Sequence, residues 1–170
     1  MKNRILLTLS ALFLIGCSST TIVTTKSLPP VYVDINKTHQ IKNDIKITLI
    51  NLNNYTDTPR AGQRATNIVE GILLTKGYQV ITHINTNIIT LKKAQEKAQA
   101  DESKYFLTGG ISEWRYKTGI DGEPAVSLQL SLYDTRSGKI VWSATGADSD
   151  WGTGSIGTTA QNLISKMTSK

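Results

Sequence analysis

The sequence predicts a single α/β domain, a mixed sheet with flanking helices in the order β-α-β-α-β-β-β-α. Three observations carry that expectation. Val126, Leu128, Leu130 and Leu132 alternate with Ser127, Gln129 and Ser131, a period of two that buries one face of a strand and leaves the other wet. Ile45 to Thr82 reads as strand, helix, strand, which implies a crossover between parallel strands. Near the C-terminus, Ile156, Ala160, Leu163, Ile164 and Met167 recur at helical spacing. With 170 residues, of which 39% are hydrophobic and 19% charged, length and composition suit one core.

The chain divides into 1–16, 17–30 and 31–170. Lys2 and Arg4 precede an apolar run from Ile5 to Ile15 that is too short for a permanent membrane span, the pattern of a secretory signal peptide. It ends in Leu14-Ile15-Gly16-Cys17, which resembles the lipobox of bacterial lipoproteins, in which the cysteine is lipidated and becomes the new N-terminus. Cys17 is the only cysteine, so an internal disulfide is impossible and no thiolate metal site can form. Ser18 follows it in place of aspartate. By the sorting rule for such lipoproteins this favours the outer membrane, with the domain facing the periplasm. Ser18 to Ser27 is rich in serine and threonine and reads as a flexible tether, stiffened at its end by Pro29-Pro30.

Within 31–170, Val31 to Ile35 alternates and suits an edge strand, while Asn36 to Asp44 reads as loop. Ile45 to Asn51 is the first strong strand. Thr58 before Pro59 predicts an N-cap with proline at the first helical position. Ala61, Ala65, Ile68, Val69, Ile72 and Leu73 then share one helical face up to Gly77, a natural C-terminal cap. Tyr78 to Thr82 is the second strand. Leu91, Ala94 and Ala98 form the narrow seam of a surface helix. From Tyr105 to Trp142 the pattern is three consecutive strands, the last two joined by Asp134 to Lys139 with Gly138 at a position that needs positive φ.

Charge is unevenly spread. Removing Lys2 and Arg4 from 19 basic residues leaves 17 against 13 acidic ones, a net charge of +4. Between Thr118 and Gly157, however, Asp121, Glu123, Asp134, Asp148 and Asp150 face only Arg136 and Lys139, a balance of −3. If these acids converge, one side of the molecule attracts cations. A basic pI alone would suggest nucleic acid, which a periplasmic lipoprotein does not meet, so no nucleic-acid partner is expected.

Motifs for catalysis are weak. Gly152, Gly154 and Gly157 have dinucleotide-loop spacing but no following strand and acidic partner, so no nucleotide and no other cofactor is expected. His39 and His83 fall in polar segments read as loops, without ligands at metal spacing. Glu113, Asp121 and Glu123 could be paired as glycosidase acids, yet any chain with 13 acids offers such pairs. No serine sits in a nucleophile elbow. Two features stand apart. Trp151 lies in a polar, glycine-rich loop with little apolar surface beside it, either folded back on the core or exposed to a membrane interface, a sugar or a partner. Asp121-Gly122-Glu123-Pro124 is either an ordinary solvated turn or a tight loop that presents two carboxylates to a common space. Trp114 and Trp142, inside strands, are expected in the core.

The run YFLTGGISEWRYKTGIDGEPAVSLQLSLYDTRSGKIVWSATG closely resembles the PelC family, outer-membrane lipoproteins of Pel exopolysaccharide secretion. Upstream, INLNNYTDTPRAGQRATNIVEGILLTKGYQVI is similar more generally to periplasmic domains of the TolB N-terminal and curli-secretion-lipoprotein type. The resemblance implies a non-enzymatic homo-oligomer, a ring of twelve subunits anchored under the outer membrane. It implies as partners a β-barrel exporter with a periplasmic repeat scaffold and a cationic, partly deacetylated amino-sugar polymer. Asp121 matches a motif aspartate expected, with Glu123 beside it, to form an acidic surface that guides the polymer; Trp151 matches an aromatic expected to contact the membrane. Arg115 and Lys117 do not suit cation guidance and are assigned to a subunit interface or to anionic lipid. The alternative is a lipoprotein regulator that docks on a cell-wall synthase, or a subunit of another secretion assembly. A regulator needs a long reach, and a tether of about a dozen residues at about 3.5 Å each extends only about 40 Å.

Overall fold

A computed structural model describes residues 45–84, 90–117, 122–150 and 154–169. The elements are β1 (Lys46–Ile50), β2 (Asn53–Asn54), α1 (Ala61–Thr75), β3 (Gln79–His83), α2 (Leu91–Ala100), β4 (Tyr105–Tyr116), β5 (Pro124–Asp134), β6 (Ile140–Ser149) and α3 (Ile156–Thr168). This is the expected order, with one addition: β2 lies in the polar stretch between the first strand and the first helix. The expected edge strand at Val31 to Ile35 lies outside the described residues. The described strands form one mixed sheet in the order β3-β1-β4-β5-β6, and β2 pairs with β4. β1 runs parallel to both β3 and β4, as the crossover requires, and β4, β5 and β6 form an antiparallel meander.

Strand alternation divides the interior in two. Ile47 and Leu49 of β1, Leu107 and Ile111 of β4, and Val126, Leu128 and Leu130 of β5 meet Ala61, Ala65, Val69 and Leu73 of α1 and Ala160, Leu163 and Ile164 of α3. The opposite face is covered more thinly: Ile50, Phe106 and Tyr133 pack against Ala94 and Ala98 of α2, with the Phe106 and Tyr133 rings stacked 4.9 Å apart. Leu91, expected in the α2 seam, is instead 52% exposed. Beyond α2 this face is left to Thr, Ser and Gln side chains and to bare glycine backbone, so one strand alternation serves a thick core and an open sheet surface.

Local signals set most boundaries. Ser155 caps α3 and Thr90 caps α2, each side chain accepting a backbone N–H three residues on. Gly77, with φ of 84°, ends α1 in a Schellman turn, Tyr78 N–H reaching Leu73 O at 3.2 Å and Gly77 N–H reaching Leu74 O at 3.0 Å. The start of α1 departs from expectation. Arg60, in the left-handed region, occupies the cap without a side-chain bond, and the Thr58 hydroxyl donates to the Trp114 carbonyl instead. A contact from β4 has taken the side chain that the local motif assigned to the helix.

β4 also carries a bulge. Ile111 pairs with Leu128 and Glu113 with Ser127, leaving Ser112 extra. In a regular strand Ile111 and Trp114, three apart, would point to opposite faces. With the bulge, both enter the α1/α3 core, where Trp114 is 2% exposed. Trp142 reaches the same core from β6 but is only partly buried.

Candidate functional site

The strand ends on either side of the Asp121 segment and before the Trp151 segment lie together at one end of the sheet. Tyr116 pairs with Pro124 and Ala125 with Ser149, so the end of β4, the start of β5 and the end of β6 lie side by side. Two backbone bonds close this end, Lys117 N–H to Glu123 O at 2.7 Å and Asp150 N–H to Pro124 O at 3.2 Å. Tyr116 ties in the last helix, its hydroxyl accepting the Ile156 N–H at 3.3 Å. Asp121, Trp151 and the lipidation candidate Cys17 themselves lie outside the described residues.

The described acids are placed unequally. Glu123, expected beside Asp121 on a guiding surface, is 8% exposed, and its carboxylate sits 3.5 Å from Lys117 Nζ. That position makes it a clasp at the loop base, with its charge already opposed. Asp148 pairs with Lys166 of α3 at 3.3 Å, and Glu113 with Arg115 at 3.0 Å. Asp150 has no cation within ion-pair distance among the described residues. Asp134 belongs to the opposite end of the β5–β6 hairpin, where its carboxylate accepts the Ser137 N–H at 2.7 Å and hydroxyl at 2.8 Å. Those Ser137 bonds hold the Asp134 carboxyl below its usual range. Thus Glu123, Asp148 and Asp150 gather at the loop end together with the residues flanking Asp121, whereas Asp134 is set apart by the length of β5.

Sequence reasoning missed a second polar cluster. His83, read as a loop residue, is the last residue of β3, and its Nε2 lies 2.7 Å from Asp101 Oδ2 at the C-cap of α2. The buried Thr48 hydroxyl donates to the same oxygen at 2.9 Å and lies 2.9 Å from Ser103 Oγ, and Lys46 Nζ reaches the Asp101 carbonyl at 3.2 Å. The available signal was one further residue of strand after Thr82, which places His83 beside Ile50. Burial by itself raises the Asp101 carboxyl, but hydrogen bonds from His83 and Thr48, with attraction to His83 and Lys97, outweigh it and hold the carboxyl below its ordinary range. A depressed carboxylate pKa contributes stability that is present above the unfolded-state pKa and lost as pH falls through the folded one. Asp101→Asn is therefore expected to cost about 1–3 kcal/mol at neutral pH. In urea titrations the gap from the unmodified chain should close as pH drops below about 4; a gap that does not change with pH would show that the carboxylate charge is not what matters.

Among the described residues no group of three or more His, Cys, Asp or Glu is placed to hold a metal ion, and no helix is long and apolar enough to cross a membrane.

The sheet, its helices and the closed loop end define an α/β domain of a type found in bacterial lipoproteins. Lipoprotein GNA1162 from Neisseria meningitidis shares the fold at 18% identity, with a TM-score of 0.56 over 65% of this chain and 86% of that one. The likeness to the PelC dodecamer from Paraburkholderia phytofirmans extends to sequence: 37% identity and a TM-score of 0.65 over 72% of this chain and 83% of that one. A point variant of the same PelC dodecamer matches at 36% identity and a TM-score of 0.64. The chain belongs to the PelC family, lipoproteins of the Pel system. No protein-family model and no curated protein sequence matches it.

Proposed function

We propose that this protein is a non-enzymatic subunit of a periplasmic ring, held under the outer membrane by lipid on Cys17, that guides a cationic exopolysaccharide to an outer-membrane β-barrel exporter. The observation that carries the reading is the 37% identity, across 83% of its length, to a PelC that is a dodecamer. Lipidation at Cys17 holds the ring at the bilayer, and Trp151 seats it in the interface. The loop end supplies the field. Glu123, clasped by Lys117, fixes the base of the loop, and Asp121 presents its carboxylate at the rim, repeated in every subunit. A ring of such charges attracts ammonium groups along a path without tight binding at any one of them. The chain's excess of positive charge elsewhere does not oppose this if the rim faces the polymer.

The first test is the native mass of the lipidated protein in mild detergent. A discrete species of about twelve subunits, as in the relative, is expected; a monomer at all concentrations would overturn the ring. Asp121→Lys should then lower polymer export more than Asp121→Asn, with native mass unchanged. Normal export in both variants removes Asp121 from the mechanism.

A further inference from the structure

The open face of the sheet, at the edge of the small core under α2, holds a groove of about 340 Å³. Its floor is the β4–β5–β6 surface beyond α2, where Thr108, Gln129, Ser131 and Thr145 supply hydroxyls and one amide, and its described lining contains no ionisable acid or base other than tyrosine. Tyr55 forms one wall. Its backbone is fixed by a 2.9 Å bond from its N–H to Ile111 O, and its ring lies over Gly110, where a β-carbon would come within 2.5 Å of the ring. Glycine at 110 thus allows the ring to rest on the sheet backbone, while the residue as a whole stays 72% exposed. Beyond Tyr55 the groove continues into a second hollow of about 410 Å³, which shares Tyr55 and Ser112 and is lined by two acids, Asp57 and Glu113, and one base, Arg115.

We propose that this groove is a saccharide-binding site, with Tyr55 as a stacking platform for a pyranose ring and the Asp57 hollow as the place for an ammonium group. The ligand class, an amino-sugar oligosaccharide, rests on the polymer reading above. The chemistry of the surface is what selects a sugar. A flat aromatic ring with one side occupied by the protein has its other side free for the apolar C–H face of a sugar, and hydroxyl and amide groups beside it match the sugar's own hydroxyls. Glu113 is already bridged by Arg115, whereas Asp57 has no cation within ion-pair distance among the described residues, so Asp57 carries the preference for a deacetylated unit.

The experiment is calorimetric titration of the full lipidated chain in detergent with oligoglucosamine and with its fully N-acetylated counterpart, alongside native mass. Saturable binding is expected, weakened about tenfold or more in Tyr55→Ala and within about twofold of the unmodified protein in Tyr55→Phe. Asp57→Asn should weaken binding of oligoglucosamine and leave the acetylated ligand unaffected. Absence of saturable binding, or equal binding by Tyr55→Ala, overturns the site. Loss of the assembled mass in Tyr55→Ala overturns it too, because a second copy would then cover this face. The ring reading fails separately: a monomer that binds the oligosaccharide keeps the groove and rejects the ring, while an intact ring that binds none does the reverse.

Discussion

Trp114→Ala is expected to lower the unfolding free energy by about 3–5 kcal/mol, the cost of removing a large aromatic from a core that cannot collapse around the gap. The indole is 2% exposed and sits among residues of α1, α3, β4 and β5, so the loss falls where both helices meet the sheet. Two features sharpen the expectation. The Ser112 bulge exists to turn this residue inward, and Nε1 has no hydrogen-bond partner among the described residues. Trp114→Phe should therefore cost much less than alanine, because it keeps most of the ring and removes a buried donor whose desolvation is uncompensated. Equilibrium denaturation of the three proteins decides the matter. If phenylalanine were as costly as alanine, the indole N–H would have to be engaged, by water for instance, and the account of this site would be wrong.

Gly62→Ala is the second large effect, and its sign opposes helix propensity. Alanine is better than glycine in a helix by about 1 kcal/mol. Yet a methyl at this position would collide with the carbonyl oxygen of Leu52, because the first turn of α1 lies directly on the chain leaving β1. The same contact is held by Thr66, whose hydroxyl accepts the Leu52 N–H at 2.9 Å and lies 2.7 Å from Gly62 O. Pushing the helix away strains both bonds. A net loss of about 2–4 kcal/mol is expected, the sum of overpacking and a weakened buried hydrogen bond less the propensity gain. An increase in thermal midpoint for Gly62→Ala would show that α1 can shift outward freely.

The two variants act on opposite ends of what sequence reading could reach. Gly62 stood in a helix whose stripe of Ala61, Ala65, Val69 and Leu73 was plain from spacing alone, and those residues are buried as expected. Nothing in that spacing reveals that position 62, one residue along from the stripe, touches a backbone 10 residues earlier in the chain. Thr58 is the clearest misreading. Its pairing with Pro59 is a sound local cap signal, but the Trp114 carbonyl, 56 residues away, offered its hydroxyl a partner that a purely local account does not contain. His83 was missed for a related reason. A polar residue at the end of a short strand looks like loop until the neighbouring strand and a helix terminus supply Asp101 and Thr48.

The candidate site divides along the same line. Asp121, Glu123, Asp148 and Asp150 were legible as an acidic region because composition over a window is a property of the chain, and the sheet register does bring the described three of them to one end. Which of these charges is free to act on a ligand is not a property of the chain. Glu123 is opposed by Lys117, and Asp148 by Lys166 from the last helix, pairings created by strand ends meeting and by α3 folding back. The groove beside Tyr55 had no sequence signature at all, since it needs Gly110 of one strand, hydroxyls of three, and a helix too short to cover them.

Periodicity and local caps were enough to specify the order of elements, the hairpin turn at Gly138, the end of α1 at Gly77 and the faces that become core, because each depends on residues a few positions apart. The bulge that buries Trp114, the pairing of Asp101 with His83 and of Asp148 with Lys166, and the open face around Tyr55 depend on atoms brought together from well beyond a local turn of chain. Their energies come from contacts that do not exist until the chain has closed.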